Sequence, residues 1–376
     1  MPFVVIGILL IFAIVYLAWR LGDVVSLFAN HRHCRSVKWL TIGAILLLSV
    51  CMLFGLVSEV RFFSVVGSIW MGIALNFLLV LVSCDFIVAV IYLFVKGEKR
   101  IVIQTVKTCA VILIPILLSV YGFMNAATVT KTEYELTIDY AKEDLKIVML
   151  SDMHLGAVGS ESNLEDWIEV INEEEADLVL ISGDLIDSDF HKIQNPDRAA
   201  ELLRSIRSRY GVYACLGNHD AGSTFLDMLS FFEKSNITIL SEQYTVINDK
   251  WVVAGRHDIS PIGAEYIEGR RQDTAFFLSE IPDSNLPVLV MDHNPSDILS
   301  YDSRVDLILS GHTHKGQVFP AGFITDMIYT VDYGLFQRSE RDPYVIVSSG
   351  VYGWGMPMKT SGLSEIVVIQ VSSNTK

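Results

Sequence analysis

"VDLILSGHTHKGQ", residues 305–317, carries an apolar run straight into two histidines one residue apart, set between glycines. The chain holds 9 His in all, so two in one short loop ask for a chemical reason. Working outward, the same pattern recurs four times. Leu145–Leu150 runs into "SDMHLG", residues 178–181 into "SGDLIDSD", residues 212–216 into "GNHD" and residues 287–291 into "DHNP". Short runs rich in Val, Ile and Leu between polar turns read as strands buried on both faces. Residues 344–348 and 365–371 read as strands too. Between the first two runs, Leu164, Trp167, Ile168 and Ile171 fall at helical spacing, with Asn163 as the expected cap. Further helices are expected to carry Leu202, Leu203 and Ile206, and Phe225, Leu229 and Phe232. Strands alternating with helices predict an α/β domain, and the carboxyl ends of its strands are where such sheets place their sites.

The amino-terminal third is physically different. Stretches 1–19, 39–57, 62–95 and 108–124 hold few or no charges and are apolar all round, which predicts four membrane-spanning helices rather than a soluble bundle. Stretch 62–95 exceeds one minimal span but has no polar turn at its middle, so it reads as one long helix. Through Tyr121 the net charge is +5, so the chain total of −15 leaves −20 beyond it. Arg20, Arg32, Arg35 and Lys38 mark the first connection, and Lys96, Lys99, Arg100 and Lys107 the third; the second has only Arg61 beside Glu59. The positive-inside rule puts the first and third connections in the cytoplasm and the following domain outside it. The expectation is a multi-pass cell-membrane protein with no cleaved signal peptide. Asp85, inside the third span, is a functional candidate by position. His31, His33 and Cys34 offer metal-ligand chemistry, yet fit the basic pattern of their loop equally well. Of the 5 Cys only Cys215 follows the spans, so that part, about 250 residues, forms no internal disulfide and relies on its own core.

Taken alone, Asp152-Met153-His154 is a weak signal; five such stations in one chain are a strong one. Oxygen and imidazole donors without thiolate suit Mn, Fe or Zn, and a carboxylate able to bridge makes a two-ion site plausible. The motifs "SDMHLG", "ISGDLID", "LGNHD", "HNP" and "SGHTHKGQ" resemble, in order, those of the calcineurin-like metallophosphoesterase superfamily. With the closing "SSGVYGWGMPM" they are similar to its membrane-associated YkuE/YaeI-like branch.

The resemblance covers roughly residues 140–372 and implies an α/β sandwich of two mixed β-sheets flanked by helices. Hydropathy and the resemblance together divide the chain into a transmembrane region 1–124, a polar connector 125–139 and a phosphoesterase domain 140–372. The resemblance further implies two divalent metal ions, one on Asp152, His154 and His314, the other on Asn218, His293 and His312, with Asp184 bridging them. A hydroxide held by the ions would attack a phosphomonoester, phosphodiester or pyrophosphate bond. His219 would act as the catalytic cation or acid, oriented by Asp187, with Asp220 as a further supporting carboxylate. The short connector favours a lipid-linked or membrane-proximal substrate.

The other reading is a membrane sensor or scaffold that binds a phosphorylated ligand without turnover. Every motif residue is present, which favours the enzyme. Lys315 adjoins the metal loop as a cation for a second acidic group or as a solvated lysine. Arg256, Arg270 and Arg271 are candidate phosphate ligands. His257 reads as a surface or supporting group, and His191 as solvated. A domain this acidic disfavours nucleic acid as a partner.

Overall fold

The computed structural model describes residues 2–58, 60–260, 271–282 and 285–373. Glu59 and Arg270 lie outside them. The chain divides into two compact units, Met1–Phe123 and Met124–Lys376.

The first unit is built from α1 (Pro2–Ser26), α2 (Cys34–Gly55), α3 (Arg61–Phe94) and α4 (Lys99–Ala127), all four long and apolar enough to cross a membrane. At 1.5 Å per residue α3 extends ~51 Å, well beyond the ~30 Å hydrocarbon core, as its uninterrupted sequence predicts. Asp85, which has no charged neighbour in its own stretch of sequence, does have partners in space. Arg20 of α1 chelates it at 2.6 and 2.9 Å, the Tyr16 hydroxyl donates to it at 2.6 Å, and Lys107 of α4 pairs with it. An acid so neutralised ties three helices together. His31, His33 and Cys34 belong to no metal-competent cluster among the described residues.

The second unit is a four-layer sandwich. Its first sheet comprises β1 (Val129–Ile138), β2 (Leu145–Leu150), β3 (Leu178–Ser182), β4 (Val212–Cys215), β5 (Thr238–Ile239) and β12 (Ser364–Ser373), in the order β1-β12-β2-β3-β4-β5. The second comprises β6 (Gln243–Ile247), β7 (Trp251–Gly255), β8 (Val288–Met291), β9 (Leu307–Ser310), β10 (Gly334–Phe336) and β11 (Tyr344–Val347), in the order β10-β11-β9-β8-β7-β6. Both are mixed: β2 to β5 and β7, β8, β9 and β11 run parallel, with antiparallel partners toward the edges.

Strand periodicity decides the layers. Ile147 and Met149 of β2 face the second sheet, where they meet Trp251, Leu289 and Leu309; Val148 and Leu150 face the helices. On that outer face lie α5 (Glu161–Glu173), α6 (Pro196–Arg204) and α7 (Phe225–Lys234), while α8 (Thr274–Glu280) covers the far face of the second sheet through Phe277 and Leu278. Burying a side chain such as Leu164 or Ile171 contributes about 1.5–3 kcal/mol.

Two readings are corrected. Residues 125–139, expected to be a polar connector, are the last turn of α4 and strand β1, which pairs along its whole length with β12. Alternating Thr, Lys and Glu with Val, Tyr and Leu is an edge-strand pattern that polarity alone mistakes for a loop. The cap of α5 is Ser160; Asn163 is the third helical residue, whose Oδ1 accepts the Ser160 N–H at 3.3 Å in a capping box.

Candidate metal centre

Strand ends from both sheets deliver the polar side chains to one place. The loop after β2 is pinned to that after β3: Asp152, His154 and Leu155 donate their N–H groups to Gly183, Asp184 and Leu185. The loops after β8 and β9 are joined by Gly311 N–H to His293 O at 2.9 Å, and His312 N–H donates to the Asp152 carboxylate at 3.1 Å. Asp152, His154, Asp184, His312 and His314 all have positive φ, between 45° and 72°. That conformation costs an L-residue roughly 1–2 kcal/mol, and here the loop hydrogen bonds hold it. Glycine is required beside it: a Cβ on Gly217 would strike Asp184 Oδ1, and one on Gly311 would strike Asp152 Oδ2.

Asp152, His154 and His314 form one group in which each residue offers a ligand atom within 4.8 Å of the others, and Asp152, Asp184 and His293 form another. His154 Nε2 and His314 Nε2 are 3.1 Å apart, and His314 Nε2 is 3.3 Å from Asp152 Oδ1. Asn218 Oδ1 lies 2.8 Å from His312 Nδ1, and the His312 ring stands 5.2 Å from that of His293. Thus all seven residues expected to hold metal converge.

The donor set fits a cation. His293 donates Nδ1–H to Ser182 O at 2.8 Å, so in the neutral ring its Nε2 presents a lone pair to Asp184 Oδ2 at 3.2 Å. Fixing the tautomer through the far nitrogen is how metal-bound histidines are commonly held. Nε2 of His293 and Nδ1 of His154 and His314 are buried without a hydrogen-bond partner. Two acceptors facing each other in a dry site repel unless positive charge lies between them.

The electrostatics agree. Burial disfavours charge on Asp184, but His293 and the other imidazoles outweigh it and hold the carboxyl far below the usual carboxylate range. For His293 burial is likewise overcome by Asp184, and the imidazole is raised, so that without a metal a proton on Nε2 takes the cation's place beside Oδ2. Asp152 is lowered against its burial by His314 and His293. Burial pushes His314 down to about 3 and lowers His312 and His219 as well.

His219 stands at the edge of this cluster, its ring 5.0 Å from that of His154. Asp187 Oδ1 is 3.5 Å from His219 Nδ1 and 3.7 Å from His154 Nδ1, between the two. The closest partner of His219 Nδ1 is the Ser188 hydroxyl at 2.8 Å, which the sequence reading missed although it adjoins Asp187. Asp220 is structural: its oxygens accept the N–H groups of Ile186 and Gly217, both at 2.9 Å, joining the loops after β3 and β4. Burial, with Asp184 nearby, raises it to about 7. Lys359 also went unremarked. It is fully buried and donates to the carbonyls of Ser349, Gly350 and Leu363 at 2.6–2.8 Å. Burial presses it toward about 7, while three acceptors match the three protons of an ammonium.

The arginines are committed elsewhere. Arg256 is buried against Glu242 at 2.9 Å and lies over the Phe277 ring; Arg271 grips Asp292 at 2.7 and 2.9 Å. Asp292 is therefore occupied, which leaves His293 as the outward donor of "DHNP". His257, expected at the surface or in support of the site, is buried beside Ser241 at 3.0 Å, outside the metal-competent groups. His191 is exposed near Asp227, and Lys315 is half-buried with Nζ 4.1 Å over the Tyr333 ring.

The calcineurin-like phosphoesterase family model matches residues 145–316, the span from β2 through the paired histidines. An uncharacterized metallophosphoesterase of Campylobacter jejuni is 31% identical over 295 residues, 76% of each chain. The chain belongs to the calcineurin-like metallophosphoesterase family. The YkuE metallophosphoesterase of Bacillus subtilis is 27% identical over 63% of this metallophosphoesterase and 82% of its own length. A transmembrane protein with metallophosphoesterase domain from Danio rerio is 30% identical over 70% of this chain and 62% of its own. The match to a Helicobacter pylori metallophosphoesterase, 30% identical over 64% of this chain, likewise spans 63% of that relative's length.

Proposed function

We propose that this protein is a membrane-anchored phosphoesterase that uses two divalent ions, Mn, Fe or Zn, to hydrolyse a phosphomonoester, phosphodiester or pyrophosphate bond. Its substrate is lipid-linked or membrane-proximal, and its catalytic domain lies on the extracytoplasmic face of the cell membrane. The observation that carries the reading is the approach of His293 Nε2 to Asp184 Oδ2 at 3.2 Å, a pairing that needs positive charge between its members, with Nδ1 already spent on Ser182 O.

Asp152, His154 and His314 would hold one ion, Asn218, His293 and His312 the other, and Asp184 both. Bound ions supply Lewis acidity toward the phosphoryl oxygens and toward the attacking water. The residues around them do the remaining work. Ser188 engages His219 Nδ1, which leaves Nε2 to pass a proton to the departing oxygen. The backbone N–H of His219 donates to Asp184 Oδ1 at 2.8 Å, so the main chain that carries the ring is fixed to the carboxylate that would bridge the ions. Asp187, between His154 and His219, favours positive charge on both.

The test is hydrolysis by purified full-length protein, beside Asp184→Asn, of bis-p-nitrophenyl phosphate, p-nitrophenyl phosphate and a panel of phospholipid and isoprenoid phosphates. Metal-stimulated turnover lost in the variant supports the enzyme. Two bound metals with no turnover on any substrate would favour the ligand-binding sensor, and no bound metal would overturn both.

A further inference from the structure

The segment that follows the metal loop, residues 319–328, turns its apolar side chains outward. Phe319, Phe323, Ile324, Met327 and Ile328 are each between 52% and 78% exposed. Helix α9 (Gly322–Ile328) has no buried residue. Phe323, Ile324, Met327 and Ile328 nonetheless share one of its faces. A seven-residue helix is too short to persist on propensity, and this one draws no support from a core. Contiguous exposed apolar surface of this kind marks a binding face.

Its place in the domain says what binds. Phe319 N–H donates to Thr360 Oγ1 at 3.0 Å, and the N–H groups of Thr360 and Ser361 both donate to Gln317 O at 2.9 Å. The same loop holds the end of the last apolar helix: Asn125 Nδ2 donates to the carbonyls of Lys359 and Gly362, and Ser364 Oγ to Ala126 O, all at 3.0 Å. The root of the apolar segment is thus one loop away from where the chain leaves a membrane-length helix. On its other side lies the metal centre. The Tyr329 ring stands 6.0 Å from that of His312, and Gln317 Nε2 donates to the carbonyl of Trp354, whose ring is 5.4 Å from His219.

We infer that residues 319–328 insert into the lipid interface and present phosphoesters held in the bilayer to the metal centre. The occupant is the bilayer itself. Apolar faces of this kind lie ~5–10 Å into the headgroup and acyl boundary. A groove of 370 Å³ between Phe319, Phe323 and Tyr333 receives a lipid chain, and Lys315 at its wall meets the anionic headgroup. The membrane contact stands on exposure and connectivity; only the delivery of substrate rests on the phosphoesterase reading.

Full-length protein in phosphatidylcholine nanodiscs tests it. The five native cysteines are replaced, and a single Met327→Cys is labelled with the environment-sensitive fluorophore NBD, beside a Phe276→Cys control on α8. Blue-shifted emission at 327 that brominated lipid quenches, with water-like emission at 276, is the expected result. Water-like emission at 327 overturns the membrane contact. A blue shift insensitive to bromine overturns it too, because protein would then cover the face. For delivery, the Ile324→Asp/Met327→Asp double variant, outside the groove, should keep its rate on bis-p-nitrophenyl phosphate. On a vesicle-held phospholipid its rate should fall about tenfold, equivalent to ~1.4 kcal/mol. Equal rates on the lipid for variant and wild type overturn the delivery. Absence of wild-type turnover on either substrate overturns the phosphoesterase reading instead, and the fluorescence result is independent of it.

Discussion

His293 Nε2 and Asp184 Oδ2 face each other at 3.2 Å in a site closed to water, with His293 Nδ1 already bonded to Ser182. Removing either member takes away one side of a cation's seat. His293→Ala should bind fewer than two equivalents of metal by elemental analysis and show no metal-stimulated turnover. In the wild type, metal at a hundredfold excess over Kd should stabilise the domain by about 2.7 kcal/mol. Thermal denaturation with and without chelator reads that difference, which His293→Ala should lose in part.

The contact of Ser188 with His219 predicts a dependence on the leaving group. His219→Ala should lower kcat by ~10²–10⁴ on an alkyl phosphoester, whose departing oxygen needs a proton. It should lower it much less on a p-nitrophenyl ester, which leaves as a stable anion. Ser188→Ala forfeits one hydrogen bond, about 1 kcal/mol and hence roughly fivefold, in the same direction.

Arg256 and Arg271 should behave as structural groups. Arg256→Ala leaves Glu242 buried without its partner, which costs about 3–5 kcal/mol. The denaturation midpoint should fall, while KM of the residual folded enzyme stays unchanged. A rise in KM with stability intact would instead assign Arg256 to phosphate binding.

Glu174 gives a pH dependence with a definite sign. It joins Lys131 of β1 at 2.8 Å and Lys146 of β2 at 2.7 Å, and these two cations lower its pKa. A carboxylate depressed in the folded state stabilises fully above its unfolded value and loses that contribution as pH falls through the folded one. Glu174→Gln should therefore cost about 1 kcal/mol at neutral pH. The gap to wild type in denaturant titrations should close as the solution is acidified below the ordinary carboxylate range.

In the membrane unit, Asp85→Ala leaves Arg20 and Lys107 without their shared counter-charge in a low-dielectric setting. Stranding buried cations costs ~3–5 kcal/mol, and the variant should lose thermal stability in detergent; Asp85→Glu should retain most of it.

The strands that carry the site were legible because they are buried on both faces and end in residues whose chemistry is conspicuous. The apolar run at 145–150 is β2 residue for residue, and the run at 178–181 falls one residue short of β3. Edge strands were not legible: β1 is half polar and β5 only two residues long, so neither has a hydrophobic signature. Ser188 and Lys359 were missed for different reasons. A serine beside an aspartate reads as a turn, and a lysine in a glycine-rich loop reads as solvated until folding encloses it among carbonyls. Asp85 looked solitary because its partners, Tyr16, Arg20 and Lys107, stand on other helices.

Strand β12 lies between β1 and β2, pairing parallel with one and antiparallel with the other. During synthesis it is the last strand of the sheet to leave the ribosome, while β1 follows directly on a helix already bound for the bilayer. Until β12 arrives, β2 lacks the neighbour on that side, and Asp152 hangs from the end of a half-paired strand. The metal cleft is therefore finished only once β12 has been made, after membrane insertion has begun, and a nascent chain stalled before Ser364 is held at the bilayer with its sheet still open.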